Sequence, residues 1–218
     1  MRVVAGHKGK LSMRCQVKGH ACHSSLAPRG VNAVEAAARI VTFLSDMAGR
    51  TQREGPFDYG FDIPHTTVHT GVIRGGSALN IVPSACVFEF EFRHLPNDDP
   101  ATYLQEVESF ALQQLQPAMQ AEVPETGFEF EQQSRFPGLD QNPDAEIVTL
   151  VKRLTGDREV GKVAFGTEGG GFDAVGIPAV VCGPGHIDQA HKPDEFVTLE
   201  QLGLCERFMI RLIENLSN

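Results

Sequence analysis

The sequence predicts an α+β fold in two parts, a βαββαβ sandwich followed by a partial α/β domain. Four segments alternate apolar and polar residues with the period of two that is typical of a half-buried strand. Two longer segments repeat apolar residues at the spacing of an α-helix. Together they have the order of a ferredoxin-like sandwich with an open antiparallel sheet. After residue 136, single helices and strands alternate, which favours an α/β layer.

The first half of the sandwich is a strand, a helix and two more strands. The first strand alternates in polarity from Leu11 to Val17. The helix is expected to end at Gly49, since glycine commonly follows the last helical residue. The second strand is β-branched, and the third alternates phenylalanine with glutamate. In chain order these segments are KLSMRCQVKG, VNAVEAAARIVTFLSDMAG, TTVHTGVIRGG and SACVFEFEFRHL.

A second helix and a fourth strand complete the sandwich, which is expected to span residues 10–136. Pro100 suits the first turn of this helix, because proline lacks the N–H group that would be unbonded there. Asp99 is placed to cap it. The two segments are TYLQEVESFALQQLQPAM and GFEFEQQSRF.

Residues 137–218 predict the C-terminal part of an α/β domain. We expect a helix, a short strand with a glycine-rich turn, a buried strand and a closing helix capped by Thr198. Two strands and two helices cannot cover both faces of a sheet, so we expect the N-terminal half of this domain to be absent from the sequence. The segments are EIVTLVKRLTG, KVAFGTEGGGFDAVG, IPAVVCGPG and TLEQLGLCERFMIRLIENL.

Composition argues against several classes of protein. The chain has 19 Lys and Arg residues against 28 Asp and Glu, so nucleic acid or an anionic membrane, which both require a basic face, is not an expected partner. No stretch approaches the roughly 18 apolar residues of a membrane span. The N-terminus has no apolar signal segment. Five cysteines, none in a CxxC pair, predict a reducing, cytoplasmic location.

Two short motifs resemble known sites but fail on geometry. His65 and His69 are separated by Thr-Thr-Val, which favours a strand, and on a strand they would lie about 13 Å apart, too far to bind one ion. The stretch GDREVGKV resembles a phosphate loop. It has Val163 after Lys162 where a hydroxyl residue is needed, and a helix precedes it instead of a strand.

Several polar residues follow or end strands, where either a site or an ordinary surface would fit. His20 and His23 could donate to an oxyanion or belong to a polar turn. Arg93 could bind a carboxylate with bidentate geometry, although both it and Asn80 could equally be surface groups. The small residues of FGTEGGGF would let a ligand approach the backbone, or they form a flexible loop.

His191 is the strongest candidate for a metal ligand. It follows a predicted buried strand and a Gly-Pro-Gly turn, at the sheet edge where α/β proteins usually bind ligands. A neutral imidazole suits zinc, and Asp188, Asp194 or Glu195 could orient it, whereas His186 is interpreted as a neighbour. One histidine cannot hold a catalytic zinc, so at least two further ligands are needed. The stretch is GHIDQAHKPDEF.

Three stretches together resemble the family of co-catalytic zinc aminoacylases and carboxypeptidases. They are VKGHACHSSLAPRGVNAVEAAARIV, GVIRGGSALNIVPSACVFEFEFRHLP and FGTEGGGFDAVGIPAVVCGPGHIDQAHKPDEFV. The resemblance implies a zinc-hydrolase α/β domain with an inserted ferredoxin-like lid that forms a homodimer. Residues 10–136 would then be the lid, and residues 137–218 the end of the catalytic domain.

The same resemblance implies roles for individual residues. His191 becomes a metal ligand, and His23 stabilises the oxyanion. The residues that bind substrate are Asn80, Arg93, Gly166 and Thr167. The cofactor is two zinc ions, with cobalt as an alternative, and the substrate is a small N-acyl amino acid.

The resemblance also implies that part of the machinery lies outside this sequence. The general base and the other metal ligands would precede residue 1, so the chain alone is expected to be inactive and not to retain zinc. The activity that the resemblance implies for the longer protein is removal of an acetyl group from an N-acetyl amino acid. Three alternatives stay open: a desuccinylase, a carboxypeptidase of the same family, and a non-catalytic dimerisation module.

Overall fold

The computed structural model describes residues 1–217 and divides the chain into two compact units. The sandwich unit contains residues 9–59 and 63–136, and the α/β unit contains residues 1–8, 60–62 and those from 137 onward. The strands are β1 (Val3–His7), β2 (Gly9–Lys18), β3 (Thr67–Gly75), β4 (Ala85–His94), β5 (Gly127–Phe136), β6 (Leu139–Asp140) and β7 (Val160–Val163). The helices are α1 (Ala33–Glu54), α2 (Pro100–Ser109), α3 (Gln116–Glu122), α4 (Glu146–Thr155), α5 (Gly169–Ala174) and α6 (Leu199–Leu216).

The sandwich unit has a four-stranded antiparallel sheet in the order β3-β4-β2-β5. This order, together with the βαββαβ sequence of elements, is that of the predicted ferredoxin-like sandwich. The two ends of the unit lie side by side, because Lys10 near its start is the sheet partner of Phe136 at its end.

One face of this sheet packs against the helices and forms the main core. Leu11 on β2 and Phe88 and Phe92 on β4 are at most 1% exposed. Ile40 and Leu44, four residues apart on α1, are buried in the same cluster. Burying one large apolar side chain contributes about 1.5–3 kcal/mol, so the alternation along β2 and β4 determines which face the helices cover.

Helix α1 does not end at Gly49 as predicted, but continues to Glu54. Two residues beyond Gly49 explain the difference. Thr51 is buried, and the Arg50 guanidinium lies 2.5 Å from the Glu106 carboxylate. Gly55 ends the helix instead, with a φ of 75° that suits glycine. Packing of the last turn therefore outweighs the cost of an internal glycine.

The second helical segment begins as predicted and contains an irregular middle. The Asp99 side chain accepts a hydrogen bond from the Ala101 amide at 3.0 Å. A π-helical segment, Phe110–Leu115, separates α2 from α3. Within it, Phe110 stacks on Phe43 with the ring centroids 4.5 Å apart. The π-helical turn thus lies where this helix packs against α1.

We expect Asn32→Ala to lower the free energy of unfolding by about 1 kcal/mol. The Asn32 side-chain oxygen accepts from the amides of Val34 and Glu35 at 3.0 and 3.2 Å, so the substitution leaves two donors at the start of α1 without this partner. Urea denaturation measures the change. Ser45→Ala, at an exposed position of the same helix, is the control and should leave the midpoint nearly unchanged. Equal midpoints for the two variants would show that the Asn32 side chain does not stabilise the start of α1.

The α/β unit contains a three-stranded sheet in the order β6-β1-β7. Strand β1 was not predicted, because all five of its residues are buried and its short sequence VVAGH shows no alternation. The prediction of a buried strand over residues 177–185 is wrong. Only Val181 pairs, with Val4, and Ile177 is 54% exposed. A run of apolar residues did not distinguish a strand from an extended segment with a single bridge.

Helix α6 closes the α/β unit as predicted. The Thr198 hydroxyl accepts from the Gln201 amide, and the Arg211 guanidinium donates to the Leu154 carbonyl on α4 at 2.9 Å. All residues of the helix are nevertheless at least partly exposed. Its exposed large apolar residues are Leu199, Leu202, Met209, Ile210, Ile213 and Leu216. Among the described residues, no helix is long and apolar enough to cross a bilayer.

Candidate functional site

His23 and Asn80 lie next to each other at one end of the sandwich sheet. His23 follows β2, Asn80 follows β3, and the two segments pair through a bridge between His23 and Ile81. The Ser24 amide donates to the Asn80 carbonyl at 2.9 Å. Both side chains are exposed. The fold therefore brings these two predicted site residues together, although they are 57 positions apart in the sequence.

Hydrogen bonds to Ser25 indicate which tautomer the neutral His23 ring adopts. Its Nδ1 lies 3.2 Å from the Ser25 backbone nitrogen and 2.8 Å from the Ser25 hydroxyl. An amide N–H can only donate, so Nδ1 holds the lone pair and Nε2 carries the proton in the neutral ring. This tautomer presents Nε2–H as a hydrogen-bond donor, which is what an oxyanion requires. Ser25 was not among the predicted site residues.

Arg93 lies at the opposite end of the same sheet. It pairs with Lys10 and Thr67, near the starts of β2 and β3, whereas His23 and Asn80 follow the ends of those strands. Eight residues of β4 separate Arg93 from Ala85, or about 27 Å at the rise of an antiparallel strand. A small ligand held by His23 therefore cannot also contact Arg93 of the same chain.

Arg93 is engaged by a carboxylate of its own strand. Its Nε and Nη2 donate to the two oxygens of Glu91 at 2.8 and 3.3 Å. Burial alone would raise the pKa of Glu91, but the hydrogen bond and charge of Arg93, with help from Lys10 and Ser12, hold that pKa below its usual value. A substrate carboxylate would have to compete with Glu91. The spacing of two along a strand, which puts both residues on one face, was the signal for this pair.

In the α/β unit, Gly166 and Thr167 form a turn that leads into α5. The Thr167 hydroxyl accepts from the Gly169 amide at 3.1 Å. Gly170 packs against backbone, since a Cβ there would lie 2.5 Å from the Pro137 carbonyl oxygen and 2.7 Å from that of Gly138. Only glycine fits at this position, so the turn is fixed against the preceding chain.

His191 lies in a turn with an unusual backbone. It is exposed and has a φ of 60°, as does Asp194, in the left-handed region that few residues other than glycine adopt. The Glu195 carboxylate accepts from the His191 amide at 2.9 Å. Asp188 instead donates its amide to Nδ1 of His186, at 3.3 Å. Of the three predicted orienting acids, Glu195 thus holds the His191 backbone and Asp188 accompanies His186.

A cavity of about 510 Å³ in the α/β unit lies beside the turn and the His191 loop, but Gly166, Thr167 and His191 are not among the residues that line it. Phe165, immediately before Gly166, lines it together with His186 and Glu195. Arg2 contributes a positive charge at its wall. Within residues 1–217, no group of three histidine, cysteine or acidic side chains is arranged to hold a metal ion. His191 could supply one ligand, and the residues described here do not complete a set.

Of the two histidines predicted to be exposed on a strand, only His69 is, and His65 is partly exposed and lies outside the strand. The stretch that resembles a phosphate loop contains strand β7.

Comparison with known protein families gives one match within the chain. A model of the peptidase dimerisation domain of the M20 group matches residues 5–119. This range covers most of the sandwich unit and includes both His23 and Arg93.

Curated relatives match along almost the whole chain. An acetylornithine deacetylase from Myxococcus xanthus is 33% identical over 212 residues, which are 96% of this chain and 53% of that protein. An acetylornithine deacetylase from Proteus mirabilis is 31% identical over 99% of this chain and 54% of its own length. The chain thus spans about half the length of the curated relatives that it matches.

Solved structures agree in fold. The aminopeptidase PepT from Bacillus cereus matches 100% of this chain and 54% of its own, with a TM-score of 0.69 at 20% identity. A putative aminohydrolase from methicillin-resistant Staphylococcus aureus gives the same TM-score at 18% identity and covers 95% of this chain. At these identities the likeness establishes a shared fold.

Proposed function

Because the chain belongs to the M20 peptidase dimerisation domain family, we propose that it is part of a metal-dependent amidohydrolase. It would comprise the dimerisation lid and the end of the catalytic domain. The reaction would remove the acetyl group of N2-acetylornithine, giving ornithine and acetate, a step of arginine biosynthesis. The similarity to acetylornithine deacetylases carries this proposal, because it runs through both units and not the lid alone. A desuccinylase or carboxypeptidase of the same family is the alternative within the enzyme class.

The proposed chemistry uses residues from both units. In the intact enzyme, His191 would be one ligand of a pair of zinc ions, which supply a hydroxide near neutral pH. The His23 Nε2–H group would donate to the oxyanion that forms on the acyl carbonyl. Asn80 and Arg93 would hold the substrate carboxylate, and Gly166 and Thr167 would contact the substrate.

The positions of these residues support a site shared by two copies of the chain. Arg93 is about 27 Å from Ala85 along β4, and His23 and Asn80 follow the strand ends near Ala85, so a single lid cannot bring all three residues to one substrate. A homodimer joined through its lids would resolve this, with His23 and Asn80 reaching the partner's metal centre. The sheet has two edge strands, β3 and β5, that are available for such pairing. We therefore propose that His23 acts in trans.

The α/β unit supports the proposal of a longer enzyme. Helix α6 exposes a row of large apolar residues, including Met209 and Ile213. Contiguous apolar surface normally packs against other polypeptide. The remaining part of a catalytic domain is the occupant that the length of the curated relatives suggests.

The family match by itself also leaves room for a module that only dimerises. A comparison of the intact enzyme with the 218-residue chain distinguishes an enzyme from a module that only dimerises. We expect the intact enzyme to hydrolyse N2-acetylornithine and to lose that activity with a chelator. We expect the 218-residue chain alone to show no turnover and to lose zinc on dialysis, since one imidazole cannot hold the ion tightly.

Three assays check this prediction: release of the free amine, a panel of N-acyl amino acids, and metal content after dialysis. Chelator-sensitive turnover by the 218-residue chain would contradict the proposal that most of the metal ligands lie outside it. An intact enzyme that retains stoichiometric zinc but cleaves no acyl amino acid would overturn the deacetylase assignment.

A further inference from the structure

His7, the last residue of β1, is completely buried in the α/β unit, and both of its ring nitrogens are engaged. Its Nδ1 lies 2.9 Å from the carbonyl oxygen of Lys8, and its Nε2 lies 3.1 Å from the backbone nitrogen of Gly170. A carbonyl can only accept and an amide N–H can only donate. The ring is therefore neutral, with the proton on Nδ1 and the lone pair on Nε2.

The surroundings of His7 favour this neutral state. Burial lowers the pKa of the imidazole, while the Lys8 carbonyl and the charge of Glu168 oppose the shift without cancelling it. The acceptor at Nε2 is thus available to the Gly170 amide, which is buried away from water.

The bond from His7 reaches the turn that contains Gly166 and Thr167. Thr167 holds the first amide of α5, that of Gly169, and His7 holds the next, that of Gly170. The Gly170 backbone also packs directly against the carbonyls of residues 137 and 138. The His7 side chain thus attaches the turn to β1, the central strand of the sheet.

We propose that His7 is a positioning residue, whose Nε2 lone pair fixes the Gly170 amide and so holds Gly166 and Thr167 in place for the substrate. The attachment of the turn stands on the geometry alone. Its effect on the substrate rests on the proposed function of the turn.

Two substitutions separate the two hydrogen bonds of His7. The side-chain oxygen of His7→Gln can take the place of Nε2 and accept from Gly170. His7→Asn is one methylene shorter and can replace only Nδ1, opposite the Lys8 carbonyl. A comparison of these two variants therefore tests the acceptor and not merely the loss of a buried ring.

The first measurement is hydrogen exchange of the Gly170 amide in the 218-residue chain. We expect protection in the wild type and in His7→Gln, and exchange about tenfold faster in His7→Asn, because the amide loses its acceptor. The Val181 amide, bonded to the Val4 carbonyl at 2.8 Å, reports on the unit as a whole and should not change. Equal protection of Gly170 in His7→Asn and wild type would overturn the proposal, as would equal loss in both variants.

The second measurement is steady-state kinetics of the intact enzyme with its best N-acyl amino acid. A displaced turn weakens binding of substrate and transition state alike, so we expect His7→Asn to raise KM about tenfold with kcat within about twofold. His7→Gln should restore KM. An unchanged KM in His7→Asn would overturn the substrate role. If the wild-type enzyme cleaves no such substrate, the proposed function fails, and the exchange measurement still decides whether His7 holds the turn.

Discussion

Two variants of the intact enzyme, His23→Ala and His191→Ala, are each expected to be inactive alone. Mixing them should restore about a quarter of wild-type activity. In a mixed dimer, the His23→Ala subunit keeps its own His191 and receives an intact His23 from its partner. The other site lacks both residues. Random mixing of equal amounts makes half of the dimers mixed, each with one working site of two.

The sheet geometry supplies a sharper version of this experiment. His23→Ala and Arg93→Ala affect opposite ends of the sheet, so each subunit can provide what the other lacks, and the mixture should again recover about a quarter of the activity. His23→Ala and Asn80→Ala affect the same end. Every site of that mixture receives one defective residue, so it should stay inactive.

Subunit exchange must be shown independently, for example by mass-labelled subunits. Recovery in the pair His23→Ala with Asn80→Ala would show that these two residues serve different sites. No recovery in either of the other pairs, despite exchange, would show that His23 serves its own subunit or has no catalytic part.

Gly170→Ala should destabilise the α/β unit by about 3 kcal/mol, the upper range for overpacking a buried position. The added Cβ would lie 2.5 and 2.7 Å from two carbonyl oxygens, and these are backbone atoms that cannot rotate away. Either the turn must move away from the backbone of residues 137–138, or that backbone must move. Urea unfolding followed by circular dichroism measures the loss.

The neighbouring glycine provides a matched control. A Cβ at Gly171, in the same helix, meets no atom within 4 Å. Gly171→Ala should therefore leave stability unchanged or raise it by up to about 1 kcal/mol, since alanine favours the helix. Equal unfolding midpoints for the two variants would rule out the close approach at Gly170.

The sandwich was predictable because its signals are local. Strand β4 alternates phenylalanine with charged residues, and one such strand indicates a buried face without knowledge of its neighbours. Strand β1 and the segment 177–185 were not predictable in this way. Their apolar residues look alike in sequence, yet β1 lies between two strands and residues 177–185 make a single bridge. Pairing over long distances in the chain decides between them.

In the candidate site, too, some features could be predicted from local sequence and others depend on the fold. The resemblance selected His23, Asn80 and His191 by type and order, but their partners depend on the fold. Glu91 could have been inferred from its position two residues before Arg93. The contact between His7 and Gly170 could not, because the two are 163 positions apart and His7 belongs to no motif.

The adjacency of Lys10 and Phe136 bears on how such a protein could have evolved. The sandwich unit begins and ends at neighbouring positions of paired strands, so a parent chain can gain or lose the whole unit at one point without stretching the flanking segments. Such a cassette can be exchanged between relatives by recombination. Because His23 and Asn80 belong to this unit while His191 belongs to the α/β unit, an exchange would pair the sandwich unit of one lineage with the His191 loop of another in a single step.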